Sequence, residues 1–301
     1  MAEEAGAAAA PDELAFAVEV ASRAGDLLMD HYERVGQVEH KSPRDIVTEV
    51  DRLSEALIIG AIRSVHPGDA ILAEESGRHR PAGGEGEAVG GGSPSAGPLA
   101  VGGRRIWVVD PLDGTVNYAN GIPFFCVSIA LVVDGRPVVA VVRDPTRGET
   151  FAATADGPAT LNGRPVRAST KERLADFVVS LALSGPRVAQ RLRAVRRAVR
   201  IPRSMGAAAL ALAYVANGRF DAFIQETGLS TWDIAAAGLI AERGGARVTD
   251  LQGGPWFRLE EAPRALGVLA APPAHHGALL ALVAPSAPSP APTSAPSSSP
   301  R

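Results

Sequence analysis

The sequence predicts a mixed α/β fold, α+β in its mixing, assembled from packed layers. Three observations predict it. Two amphipathic helical patterns open the chain, short apolar runs separated by turn dipeptides fill its middle, and strands alternate with helices in its second half. The 301 residues are 46% hydrophobic and 21% charged, enough for one large domain or two small ones.

Residues 1–10 are Ala-rich and are expected to be disordered. From Pro11 to about Val35, Leu14, Val18, Ala21, Leu27 and Leu28 fall on overlapping apolar faces and predict a helix. A polar loop, His40–Asp45, leads to a second helix over Glu49–Val65, where Leu53, Leu57, Ile58 and Ile62 recur at helical spacing. Thr48 is its expected N-cap, and His66-Pro67-Gly68 ends it. Ala70–Glu75 reads as a short strand ending in two acids. Residues 78–105, rich in Gly, Pro and Ser, predict a long flexible insertion. Ile106–Val109 reads as a buried strand that stops at Asp110, because Pro111 cannot continue the ladder. Strands over Phe124–Val133, Pro137–Val142 and Glu149–Ala153, punctuated by Asp134-Gly135, Asp144-Pro145 and Asn162-Gly163, predict an antiparallel meander.

The second half predicts a strand at Asp176–Leu183, helices at Pro186–Arg200 and Met205–Ala216, and a strand at Phe220–Gln225. A helix over Thr231–Arg243 closes on Gly244-Gly245, suitable C-cap chemistry. Strands near Ala246–Thr249 and Leu266–Ala271 precede a last helix around His275–Val283, and residues 284–301 form an Ala/Pro/Ser tail expected to be disordered.

Several function classes lose support here. The net charge of −3 gives no global basic field for nucleic acid. No apolar run approaches the ~20 residues that span a bilayer, and the N-terminus lacks a signal-peptide pattern, so the expected location is the cytoplasm, with no membrane partner. The single cysteine, Cys126, reads as a reduced core thiol. Arg187, Arg191, Arg193, Arg196, Arg197 and Arg200 read as a solvated helix face, His275 and His276 as surface residues at a helix start, and Trp232 as a packing anchor.

Four acids carry the chemical signal: Glu74, Asp110 and Asp113 at strand ends, and Asp233 at a helix start. If they converge, each close pair repels by about 4 kcal/mol at ~4 Å in an effective dielectric near 20. Convergence therefore demands cations, and oxygen-only ligands indicate Mg2+, Mn2+ or Ca2+ over zinc. Two divalent ions cancel four carboxylates and let a phosphate dianion approach. Gly114 permits close backbone approach, and Thr115 adds a hydroxyl at a helix start whose N–H groups face an anion. The pattern points to metal-assisted phosphoryl chemistry.

The stretch Asp110-Pro-Leu-Asp-Gly-Thr115, with its flank through Pro123, resembles the first signature of the inositol monophosphatase family. Trp232-Asp-Ile-Ala-Ala-Ala-Gly238 resembles the second, Ala73-Glu-Glu-Ser76 the acidic strand end, and Asp45-Ile-Val-Thr-Glu-Val-Asp51 the upstream motif. They occur in the family's order. The resemblance implies an αβαβα sandwich of the sugar-phosphatase type, with a catalytic domain over 11–283. It implies Mg2+ ions, two or three in number, with Mn2+ as a substitute, lithium sensitivity and a homodimer. Glu74, Asp110 and the Leu112 carbonyl would ligate one metal, and Asp110, Asp113 and Asp233 the other. Glu74 and Thr115, near Asp51, would activate a water for attack on phosphorus. Leu112, Asp113, Gly114, Thr115, Gly206, Ala207, Ala208, Glu226 and Asp233 would contact the substrate, Glu226 through its hydroxyls.

The expected activity is hydrolysis of an inositol monophosphate, a small-molecule phosphate ester. Fructose 1,6-bisphosphatase, histidinol phosphatase and nucleotide 3′-phosphatase activities stay open on the shared metal core, and a non-catalytic binding protein is the rival from another class. Ala207 stands where many members carry a hydroxyl residue, and the insertion at 78–105 is longer than usual and better read as inert than as a lid.

Overall fold

The computed structural model describes residues 10–34, 38–42, 45–81, 105–185, 187–259 and 266–283, with side chains at positions 10, 11 and 35–46 excepted. The expectations for residues 1–9 and 284–301, and for the insertion from 82 to 104, lie outside the described residues.

Helix α1 (Ala10–His31) carries Asp12 and Glu13 in its first turn, where the helix dipole favours negative charge. Ala17, Val20, Ala21, Ala24 and Leu28 form its buried stripe. It ends short of Val35, and Glu33 then adopts a left-handed φ of 61° that helical backbone does not allow. Strands β1 (Val38–Ser42) and β2 (Asp45–Thr48) pair as an antiparallel hairpin where the sequence predicted a loop. The segment is polar and pairs with itself, so composition conceals it. Helix α2 (Glu49–Val65) spans the expected residues, and Asp51 reaches back to accept the Thr48 N–H at 2.8 Å.

Strands β3 (Ala70–Ala73), β4 (Gly77–His79) and β5 (Arg105–Asp113) follow, then the short helix α3 (Thr115–Ala119). Residues 78 and 79 thus belong to β4 and Arg105 to β5, where the sequence predicted the flexible insertion. Strand β5 runs on past Asp110, against expectation: its ladder with the next strand breaks register between Asp110 and Asp113, and this bulge accommodates Pro111. The meander is β6 (Cys126–Val133), β7 (Arg136–Asp144), β8 (Glu149–Thr154), β9 (Thr160–Leu161) and β10 (Arg164–Pro165). Together these strands form an eight-stranded sheet in the order β10-β9-β8-β7-β6-β5-β3-β4, parallel only between β3 and β5.

The second half contributes β11 (Val178–Ala182), α4 (Val188–Ala198), β12 (Ile201–Arg203), α5 (Ala208–Ala213), β13 (Ala222–Leu229), α6 (Thr231–Arg243), β14 (Arg247–Thr249), β15 (Leu266–Ala271) and α7 (Pro273–Val283). Its five strands are ordered β12-β11-β13-β15-β14. Helix α5 is shorter than predicted because Gly206, at a φ of 82°, holds the preceding backbone out of helix, and a 3-10 turn over Tyr214–Asn217 follows it.

Strand alternation sorts the core into layers. Trp107, Val109, Ile129 and Val141 face α1 and α2, whereas Ile106, Val108, Ala130 and Val142 face α5 and α6. Those two helices are covered on their other side by Phe223, Val268 and Ala270 of the second sheet. Val179, Ile224 and Leu269 point outward to Val195 of α4 and Leu279 of α7. The result is five layers, α-β-α-β-α. Among the described residues no helix is long and apolar enough to cross a membrane.

Two side chains expected at the surface lie inside. His276 is buried at the start of α7, with its Nε2 3.0 Å from Thr249 Oγ1. Arg191 is buried on α4, while Arg187, Arg193, Arg196, Arg197 and Arg200 remain exposed.

Candidate active site

The C-terminal end of β3, the bulge of β5 and the first turn of α6 meet at one cavity of about 330 Å³. Glu74, Asp110, Leu112, Asp113, Gly114, Thr115, Gly206, Ala207, Ala208 and Asp233 all line it. One carboxylate oxygen from each of Asp110, Asp113 and Asp233 lies within 4.8 Å of the others.

Local chemistry explains how each is held. Asp110 is buried and accepts the Leu112 N–H at 3.1 Å, which folds the backbone tightly through the bulge. Asp113 reaches to the start of α5 and accepts N–H groups from Ala208 at 3.0 Å, Ala209 at 2.8 Å and Leu210 at 3.3 Å. It thereby fastens the segment around Gly206 to the first motif. Asp233 sits in the first turn of α6 and accepts the Ser230 N–H at 2.6 Å.

Electrostatics records the crowding. Burial, then the charges of Glu74, Asp113 and Asp233, hold the Asp110 carboxyl well above the usual carboxylate range. Burial also pushes Asp113 up to about 6, although three backbone N–H groups act to lower it. Among the described residues, no Lys, Arg or His lines the cavity to offset these charges. Close carboxylates without a cationic side chain, all offering oxygen, fit a hard divalent cation. The donors present for it are Glu74, Asp110, Asp113 and Asp233, with the Leu112 carbonyl beside them.

Thr115 Oγ1 lies 3.0 Å from Asp51 Oδ1 and 3.1 Å from the Leu112 carbonyl, both acceptors for its single proton. Asp51 itself is buried behind the cavity, its other oxygen engaged by Thr48. Gly114, at a φ of 94°, is the N-cap of α3; a Cβ there would stand 3.0 Å from that of Ala207 and 3.1 Å from the Phe124 carbonyl. Only glycine meets both demands.

Glu226 departs from its expected place. It is not among the cavity-lining residues. Its Oε1 lies 2.7 Å from Arg191 Nη1, and its Oε2 accepts the Ser184 N–H at 2.9 Å. Burial acts to raise the Glu226 pKa, but the Arg191 and Ser184 hydrogen bonds outweigh it and hold the group below the usual range. Arg191 also donates to the Ser184 and Val283 carbonyls.

Sequence reasoning passed over other parts of the site. Ser180 on β11 and Gln225 on β13 line the cavity from the second sheet, and no motif marked them; Ser204 and Met205, in the same stretch as the expected contact Gly206, line it after β12. Asn117 on α3 donates to the Phe124 carbonyl at 2.7 Å and the Met205 carbonyl at 2.8 Å, tying the first motif to the Gly206 segment. Its place in the motif's flank was the available signal. Trp232 lines the cavity as well as packing against the central layer. Cys126 is a buried free thiol, as read, and its Sγ lies 3.6 Å from Asp113.

A family model described as inositol monophosphatase family matches residues 11–287. The chain is 38% identical over 256 residues to a Pseudomonas aeruginosa protein named Nus factor SuhB, covering 81% of this chain and 87% of that one. Over 243 residues it is 34% identical to a Thermotoga maritima protein named fructose-1,6-bisphosphatase/inositol-1-monophosphatase, covering 80% and 86%. Among solved structures, the Thermotoga maritima IMPase matches with a TM-score of 0.76 at 31% identity, over 90% of this chain and 96% of that one. The name Nus factor is not that of a phosphatase, and it leaves the expected absence of a nucleic-acid partner without support.

Proposed function

The chain belongs to the inositol monophosphatase family, and from that premise we propose that it is a Mg2+-dependent phosphomonoesterase that hydrolyses inositol monophosphate to inositol and phosphate. The observation that carries the reading is the meeting of Asp110, Asp113 and Asp233 within 4.8 Å beside Glu74, with no basic side chain lining the cavity among the described residues.

Bound among these carboxylates, divalent cations lower the pKa of a water and neutralise phosphoryl charge. The chain's own groups do the rest. Thr115, whose hydroxyl can donate to Asp51 Oδ1 at 3.0 Å, then presents its lone pairs to the attacking water. Glu74 is the second acceptor for that water and orients it for in-line attack. The N–H groups of Gly114 and Thr115 take phosphate oxygens, and Gly206, Ala207 and Ala208 bound the ester from the opposite wall. Ser180 and Gln225 supply neutral polar groups for the alcohol, the role expected of Glu226. On this reading the protein is a lithium-sensitive homodimer of the cytoplasm, and Mn2+ replaces Mg2+.

Phosphate release from inositol monophosphates, fructose 1,6-bisphosphate, histidinol phosphate and 3′-phosphoadenosine 5′-phosphate identifies the substrate. Turnover that persisted in excess chelator would sink the metal reading. A second reading, a factor that acts by binding a partner, is favoured by the name of the 38% identical relative. It replaces the first if Mg2+-supplied protein releases no phosphate from any member of the panel.

A further inference from the structure

Helix α2 lends nothing to the cavity lining, yet one face of it grips three separate segments of the site. Asp51, Ser54 and Glu55 stand at positions i, i+3 and i+4 and are 1%, 0% and 4% exposed. Asp51 holds the Thr115 hydroxyl at 3.0 Å. Ser54 Oγ donates at 3.0 Å to the carbonyl of Pro111, between Asp110 and Leu112. Glu55 Oε2 accepts the Glu75 N–H at 2.8 Å, and its Oε1 accepts the Ser76 N–H at 2.9 Å. Those are the two residues that follow Glu74.

Glu74 needs such a restraint. It stands one residue beyond β3, where the parallel ladder with β5 ends at the Ala73–Val109 pair and one further bond runs from the Glu74 N–H to the Val109 carbonyl at 3.2 Å. Beyond that the turn to β4 begins, and the two N–H groups of the turn point into Glu55. A buried carboxylate with both oxygens committed to successive backbone donors is a rigid clamp: the acceptor is charged and its side chain cannot swing without stranding two donors.

We propose that Glu55 is a positioning residue for Glu74. It clamps the turn at residues 74–76 while Ser54, on the same helix face, clamps the β5 bulge, so that α2 sets the spacing between Glu74 and Asp110. The inference rests on the cation-binding reading of the site. It assigns to α2 the task of bringing β3 and β5 into the geometry that a cation shared between them requires.

The test is direct Mn2+ binding, by calorimetry and electron paramagnetic resonance without substrate, to the full chain and to Glu55→Gln and Glu55→Asp. Gln keeps the shape but offers one acceptor oxygen and turns an N–H against a backbone donor. Glu55→Gln is expected to weaken one Mn2+ site at least tenfold and leave the site built by Asp113 and Asp233 within twofold. On the substrate the panel identifies, kcat falls while KM stays within twofold. Glu55→Asp, charged but shorter, recovers part of the loss, and it carries the comparison if the Gln protein is unfolded by circular dichroism. Wild-type binding at both sites in Glu55→Gln overturns the inference, as does equal weakening of both sites in step with a fall in Tm, which is the mark of a merely structural clamp. If the unmodified chain binds no Mn2+, the cation reading itself fails, and the inference with it.

Discussion

At the scale of single residues, stability and function pull against each other. Asp110 is buried against Glu74, Asp113 and Asp233, a cluster that repels itself until cations arrive. Asp110→Asn keeps the side-chain oxygen that accepts the Leu112 N–H and removes one charge. The substitution is expected to stabilise the cation-free protein by ~1–2 kcal/mol, a small part of the repulsion, and to abolish phosphate release. Melting in chelator, alongside an activity assay with Mg2+, checks both halves. Gly114 shows the opposite cost. Alanine there meets a φ of 94° and contacts of 3.0 and 3.1 Å, so Gly114→Ala should lose ~2 kcal/mol or more and loosen the contact with Ala207. Urea unfolding midpoints measure it.

At the scale of elements, α4 is fastened to β13 by charge as well as by its apolar stripe. The Arg191–Glu226 pair joins them across the outer face, its side chains 9% and 18% exposed. Because the Glu226 pKa is depressed in the folded protein, its contribution is fully present above the unfolded value, about 4.3, and is lost as pH falls through the folded one. Arg191→Met should therefore destabilise the protein by about 2–3 kcal/mol near neutrality, below the full cost of breaking a deeply buried pair because Glu226 is partly exposed. The gap between variant and wild type should narrow below pH 4. Denaturant midpoints at pH 7 and pH 3.5 test the sign, and a gap that widened in acid would contradict it.

At the scale of the whole molecule, the central layer decides how the two halves of the site approach. Helix α6 lies between two sheets and is apolar and buried all round from Ile234 to Ala241, with small residues Ala235, Ala236, Ala237 and Gly238 along that length. A Cβ on Gly238 would come within 2.3 Å of the Trp256 ring. Gly238→Ala should thus overpack this layer, costing ~1–3 kcal/mol, and should also weaken cation binding, since Asp233 rides on the same helix. Thermal melting read beside Mn2+ affinity separates the two effects.

The sequence by itself determined most of the element types, the β1–β2 hairpin excepted, and marked the first half of the candidate site. Helical spacing placed α2 and α6 to the residue, and turn dipeptides placed the meander, because these signals reside in a few neighbouring side chains. Asp110, Asp113, Gly114 and Thr115 were legible for the same reason: they are local, and their residue types suit a cation and an anion. The tertiary structure alone decided what depends on a partner arriving from afar. Arg191 left the predicted solvated face because Glu226, 35 residues on, meets it there, and that same bond takes Glu226 out of the cavity. His276 went inside because Thr249 waits 27 residues before it. Glu55 gave no chemical signal, since its partners are backbone N–H groups that every residue but proline carries. A side chain's type says what it can bind, but which of its possible partners it meets is set by packing, and packing is a property of the layers together.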